Sequence, residues 1–276
     1  MKPLLLALAL ALALAACSSS APVAVTSLAS TPRPMPVPAR TPATLRVMSY
    51  NVNFGLAGDR DGVAAVAAAH PDIVVLQETN AAWEAVLVDG LAGAYPHHRF
   101  GAPATWPAGG MGVLSRFPIV SVDELPSVAG PFFAWRIVID APGGPVQILD
   151  VHLHPPISDS GSWVVGFWST RERRERELAW HLAKLDAALP TLVAGDFNEE
   201  LDGRALRYAT DRGYSDAIAQ FAGARRTWEW PVGRLTLRFQ LDHVLHDEHW
   251  VAIAAGIVEA GRSDHKPVWA DVQRAD

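Results

Sequence analysis

Six places in this 276-residue chain join an apolar run to side chains that can hold ions, protons or anionic oxygens. The run around Val47 ends in Asn51-Val52-Asn53, and Ile73-Val74-Val75-Leu76 ends in Gln77-Glu78. The run around Ile148 leads into His152-Leu153-His154, and the run around Val193 ends in Gly195-Asp196-Phe197-Asn198. Two later segments are Leu241-Asp242-His243-Val244-Leu245 and Ser263-Asp264-His265-Lys266-Pro267. Each piece alone has a plain reading. Asn51 and Asn53 suit a turn, Glu78 suits a helix cap, and His152 and His154 suit a core. Together they place oxygen ligands and proton handlers at one rim of a sheet, where α/β proteins bind ligands. In extended backbone, residues two apart share a face, so three of these runs are expected to aim both members of a polar pair the same way. Asp242 lies inside an apolar strand, where an unpaired carboxylate is costly. His265 is its expected partner, and the pairing would favour an imidazolium able to stabilise charge on a phosphoryl oxygen.

The apolar runs imply the elements that hold these residues. Strands are expected at 45–51, 73–78, 113–115, 135–139, 146–153, 191–195, 241–245, 250–257 and 267–272, from continuous or alternating apolar runs bounded by Gly and Pro. Helices are expected at 63–69 and 81–91. The clearest is 170–189, where Leu178, Leu182, Leu185 and Leu189 form a stripe that Pro190 ends. Strands of both kinds under helices indicate an α/β layered fold. The segment Pro155–Ser169, with Trp163, Val164, Val165, Phe167 and Trp168, reads as a loop overhanging the site, either a packed lid or an apolar contact for lipid, acyl group or base. Arg171, Arg173, Arg174 and Arg176 interleave with Glu172, Glu175 and Glu177 and are expected to form a solvated, self-paired helix face.

Composition narrows the partners. A formal charge of −6 opposes a general electrostatic grip on nucleic acid. The single cysteine follows a charged start and an apolar Leu/Ala run, in Leu14-Ala15-Ala16-Cys17. Residues 1–16 read as a signal peptide, too short to span a bilayer. The four-residue box resembles that of bacterial lipoproteins, which implies lipidation at Cys17 and a place at the cell envelope. Residues 17–44, rich in Pro, Ala, Ser and Thr, read as a tether, leaving one domain at 45–276 that is expected to be monomeric.

In this order, Asn51, Leu76-Gln77-Glu78, Gly112–Ile119, His152, Gly195–Asn198, Leu241–Leu245 and Ser263–Val268 resemble the endonuclease/exonuclease/phosphatase superfamily across 45–272. The resemblance implies a four-layer α/β/β/α sandwich of two mainly antiparallel sheets. It implies a divalent-metal-dependent phosphoester hydrolase acting on nucleic acid or phospholipid. Glu78 would be the main metal ligand, supported by Asn51 and Asp264. Asp196 would activate water, Asn198 and His152 would bind phosphate oxygens, and His265 would face the phosphate with Asp242 behind it. A Glu/Asp/Asn set suits Mg²⁺ or Mn²⁺ rather than zinc. Asn53 stands where some members carry a carboxylate, which favours one tightly held ion. A sphingomyelinase-like phosphodiesterase and a non-catalytic surface lipoprotein are the alternatives. A zinc esterase built on His152-x-His154 is disfavoured because a Gly-Asn-His-Glu signature is absent.

Overall fold

The computed structural model describes residues 44–275, apart from 92, 103, 104 and 224. The expected signal peptide, Cys17 and all of the tether but Thr44 lie outside the described residues.

Two six-stranded sheets carry the domain. In the first, β1 (Thr44–Asn51) lies between β2 (Ile73–Gln77) and β14 (Val268–Arg274), with β13 (Trp250–Ile257) at one edge. On the other side β4 (Met111–Ser115) and β3 (His97–Gly101) complete it. In the second, β5 (Ile119–Leu125), β6 (Ala134–Ala141), β7 (Gly144–His152), β8 (Thr191–Asp196), β12 (Asp242–His246) and β9 (Ser215–Asp216) follow in that order. Each sheet has one parallel pair, β1 with β2 and β7 with β8, amid antiparallel neighbours. A parallel pair needs a crossover. Helix α1 (Arg60–Ala69) supplies the first, and α3 (Trp163–Ser169) with α4 (Arg171–Leu182) supplies the second. The remaining helices are α2 (Ala81–Leu91), α5 (Arg204–Thr210) and α6 (Ala217–Ala222). Helices α1 and α2 pack on one outer face around Trp83 and Leu87, and α4 and α5 on the other around Leu178 and Leu206, while α6 sends Ala217 and Ile218 into the core between the sheets. The expected four-layer sandwich is therefore present.

Side-chain alternation grades the space between the sheets from apolar to polar. Leu45 and Val47, Ile73 and Val75, Val146 and Ile148, and Leu192 and Ala194 all join one inter-sheet core. Two residues further along the same faces come Ser49, Gln77, Asp150 and Asp196, each buried. Gln77 Nε2 donates to Asp150 Oδ1 at 2.6 Å and to Ser49 Oγ at 3.2 Å. Burial holds the Asp150 carboxyl well above the usual carboxylate range, so a neutral amide–acid–hydroxyl layer floors the polar end.

Three expectations changed. The helix expected over 170–189 begins at Arg171 and ends at Leu182. Gln147 draws the chain out of it, accepting from Asp186 N at 3.0 Å and donating to Asp186 O at 3.2 Å. Leu182 and Leu185 still pack on the cluster around Leu178, so these leucines mark core but not one continuous helix. The loop expected over 155–169 contains α3, whose first turn Ser162 caps by accepting from Val165 N at 3.3 Å. The arginine cluster does not pair with its own helix. Arg174 is fully buried, 3.6 Å from Glu199, and Arg171 and Arg173 reach Asp202 and Asp159.

Helix α4 also carries a testable acid sensitivity. Burial pushes the His181 imidazole down to about 4, and its Nδ1 has no hydrogen-bond partner. Unfolded histidine titrates near 6.5. As pH falls from about 6.5 to 4 the unfolded chain binds a proton that the folded chain refuses, so stability drops by about 3 kcal/mol at most. His181→Gln is expected to flatten the fall in melting temperature over that pH window. An unchanged slope would assign the acid sensitivity elsewhere.

Candidate active site

The polar ends of the two parallel pairs meet. Asn51 ends β1 beside Gln77, and His152 ends β7 beside Asp196. Antiparallel β12 then sets Asp242 opposite Asp196. Backbone conformation supplies the rest. Among the described residues four non-glycine positions have left-handed φ, and three are Asn53, Glu78 and Asn198, each just past a strand end. Such backbone is unfavourable outside glycine and concentrates at functional sites. In two of the three expected pairs it also undoes the shared facing, at Asn53 and Asn198, while His154 lies past the end of β7 without it.

Asp196 is the hub. Its Oδ1 accepts from Asn198 N at 2.8 Å, and its Oδ2 accepts from Asn51 Nδ2 at 3.1 Å. The same Oδ2 lies 3.5 Å from His265 Nε2 and 3.6 Å from His152 Nε2. Burial, opposed by the His265 charge, holds Asp196 above the usual carboxylate range. Gly195 is required next to it. With φ at +148°, a Cβ there would lie 2.0 Å from Val151 O on the neighbouring strand.

The expected pair forms, with His265 Nδ1 2.9 Å and 3.1 Å from the two Asp242 oxygens. Burial works against the imidazolium, yet Asp242 and then Asp196 outweigh it and raise the His265 pKa. His152 behaves oppositely. Burial, aided by the His265 charge, pushes it down to about 3, leaving a neutral ring stacked on Phe132 at 3.9 Å. Two histidines a few ångströms apart thus hold different charge states.

Glu78 and Asp264 form the other side. Glu78 Oε1 accepts from Asn51 Nδ2 at 3.0 Å and Oε2 from Phe54 N at 3.2 Å. Burial raises its pKa, and the Asp264 charge adds to this. Asp264 accepts from Asn53 Nδ2 and from Trp228 Nε1, both at 2.8 Å. Asn51 therefore links the Glu78 side to Asp196. Its Oδ1 accepts from Asn53 N at 3.1 Å, which fixes the amide orientation. Asn198 Nδ2 donates to Leu153 O at 2.9 Å, bracing the chain just past His152. Its second amide proton remains for the expected phosphate contact.

Asp196, Asp242 and His265 also offer ligand atoms within 4.8 Å of one another. Both His265 nitrogens face carboxylates, so that triad is an imidazolium between two acids, and a metal there would have to displace its proton. The acids at Glu78 and Asp264 fit a hard cation better, and Asn51, whose Nδ2 faces Glu78, would join them only by turning its amide oxygen inward. His154 turns away, with Nδ1 at 2.7 Å from Pro155 O and Nε2 at 3.2 Å from Arg173 Nη1, so His152-x-His154 is no metal pair.

Sequence reasoning missed Trp228, Phe132 and Thr227. Thr227 Oγ1 accepts from Leu241 N and Asp242 N at 2.9 and 3.0 Å. The signal that was present is the alternation Trp228-Glu229-Trp230 before Gly233, which marks a hairpin.

Comparison with known proteins agrees with this geometry. Residues 48–265 match the Endonuclease/Exonuclease/phosphatase family. The chain is similar to the solved structure of an endonuclease/exonuclease/phosphatase from Beutenbergia cavernae, with TM-score 0.70 and 25% identity over 84% of this chain and 72% of that one. It shares its fold with D. rerio TDP2 complexed with single strand DNA product, with TM-score 0.64 and 16% identity over 84% of this chain and 99% of that one. A family protein from Bacteroides thetaiotaomicron gives TM-score 0.66 and 15% identity over 84% and 98%. None of the curated proteins compared matches the chain. A family match spanning most of the domain, on a sandwich that gathers the matching motifs at one rim, shows that this chain belongs to the endonuclease/exonuclease/phosphatase family.

Proposed function

We propose that this chain is a divalent-metal-dependent phosphoester hydrolase, using Mg²⁺ or Mn²⁺, held at the cell envelope by a lipid on Cys17 and working as a monomer. One observation carries the reading: Asp196 Oδ2 is shared by Asn51 Nδ2, His152 Nε2 and His265 Nε2. A carboxylate so placed is oriented to accept a proton from a water attacking phosphorus. Asn51 holds it there while tying it to Glu78. His265, kept protonated by Asp242, offers a donor to a phosphoryl oxygen as charge builds. The Asn198 amide supplies a further donor without adding charge, and neutral His152 has one N–H, which would serve the phosphate from Nε2 as the tautomer protonated there. Glu78, Asp264 and Asn51 would hold the metal, which when bound polarises the phosphate and offsets developing charge. Their fit rests on the two acids: burial, with the Asp264 charge adding to it, raises the Glu78 pKa, and a bound cation would offset both effects.

The test is hydrolysis of a soluble chromogenic phosphodiester with and without Mg²⁺, followed by plasmid DNA, RNA, sphingomyelin and inositol phosphates. Chelation is expected to abolish turnover, and Glu78→Ala to lower it by about 10² or more. Turnover that survives chelation would remove the metal assignment. Failure on every substrate would leave a surface lipoprotein that binds without cutting.

A further inference from the structure

Hydrolysis leaves one large feature without a task. Strands β10 (Trp228–Val232) and β11 (Leu235–Phe239) form a two-stranded ribbon outside both sheets. Its base is bolted to the site by a bridge between Trp228 and His265 and by Glu229 N donating to Asp264 O at 2.9 Å. Register places Trp228 opposite Phe239, Trp230 opposite Leu237 and Val232 opposite Leu235. Directly opposed residues share a face, so one face of the ribbon is wholly apolar.

At the base, helix α3 covers that face. Trp163 stacks on Trp228 at 6.1 Å and Phe167 on Phe239 at 4.8 Å. At the tip it lies open, with Leu235 74%, Val232 50% and Trp230 48% exposed. On α3, Val164 and Trp168, each next in sequence to a residue that packs on the ribbon, are exposed as well. Contiguous apolar surface of this kind marks a binding surface. On the ribbon's other side Glu229, Pro231 and Thr236 help wall a cleft of about 550 Å³ that reaches Asn53, Asp264 and Lys266.

We propose that the ribbon tip and the outer side of α3 dock the domain on an anionic phospholipid surface, with the cleft opening beside the point of contact. The inference rests on the phosphoester-hydrolase reading only for the use made of that cleft. Charge argues for this partner. The chain is acidic as a whole, yet residues 225–239 carry four arginines against Glu229 alone. Arg238 pairs with that glutamate at 3.1 Å, Arg234 stands in the turn at the tip, and Arg225 and Arg226 precede the base. A tip of tryptophan and aliphatic side chains with an arginine in its turn and a net basic ribbon is the composition of an interfacial anchor. Trp230 offers one flat face, but Val232 and Leu235 beyond it offer none, which disfavours a platform for successive bases.

The single cysteine makes a site-specific test possible in the full chain. Cys17→Ser with Leu235→Cys leaves one thiol at the tip for an environment-sensitive fluorophore. Cys17→Ser with Val120→Cys places the same label at an exposed position on β5. Each is mixed with phosphatidylcholine/phosphatidylglycerol vesicles brominated in their acyl chains. The label at position 235 is expected to shift blue and be quenched several-fold more than that at 120. Omitting phosphatidylglycerol is expected to weaken the response, and Trp230→Ser to lower vesicle affinity about tenfold. Equal quenching at the two positions overturns the proposal. So does a label at 235 that answers an oligothymidylate but not vesicles. Loss of soluble-diester hydrolysis with quenching at 235 retained would sink the hydrolase reading alone.

Discussion

Replacing Asp196 with Asn is expected to lower metal-dependent phosphodiester hydrolysis by about 10² to 10⁴, the range associated with a positioned proton acceptor. The substitution is nearly isosteric, so the hydrogen bonds from Asn198 N and Asn51 Nδ2 have an oxygen to reach only if the amide keeps its carbonyl toward one of them. The other then meets an NH₂ group, and the His265 imidazolium loses one of its two acidic neighbours. The pH profile of the unaltered protein is the companion measurement. Asp196 accepts a proton only when ionised, and burial raises its pKa. Hydrolysis should therefore fall as pH drops, beginning above the range where an ordinary aspartate protonates. His265 must keep its proton, and its raised pKa extends activity into alkaline conditions. Asp242→Asn should pull the alkaline limb to lower pH. An Asp196→Asn protein with undiminished turnover would remove Asp196 from the chemistry.

Gly195→Ala is expected to be the most damaging single methyl in the motif. Its Cβ would lie 2.0 Å from Val151 O, within the parallel pairing of β7 and β8, and φ of +148° is a conformation that L side chains rarely adopt. Neither strand can yield without disturbing the pair that places His152 beside Asp196. A cost of about 3 kcal/mol or more follows from backbone strain and overpacking together. For a domain of this size that is a fall of about 10 °C in melting temperature. Activity should drop further than stability, because the displaced atoms lie one residue from the proton acceptor. An alanine variant that melts as the native protein does would mean the strands relax more than this packing implies.

The α/β class, the strand ends and the pairing of Asp242 with His265 are legible in the residues themselves, and the four layers in the family resemblance they carry. Apolar runs ending in acids, amides and histidines have few places to go in an α/β protein except one rim. A buried carboxylate in a strand must also find a partner. Single-sequence patterns did not carry the breaks in that regularity. The 170–189 stripe looked like one helix because its leucines keep helical spacing. Gln147, distant in sequence, takes the backbone at Asp186 and turns the chain. Arg174 looked solvated because glutamates flank it, whereas Glu199, from the loop after β8, buries it. Asn53 and Asn198 looked aligned with Asn51 and Asp196 because they are two residues apart. The left-handed backbone that redirects them is set by contacts with Asp264 and Leu153 from other strands and loops. The difference in charge between His152 and His265 is tertiary on one side. The Asp242 pairing that keeps His265 protonated follows from the residues alone, whereas the burial and the Phe132 ring that leave His152 neutral come from the fold.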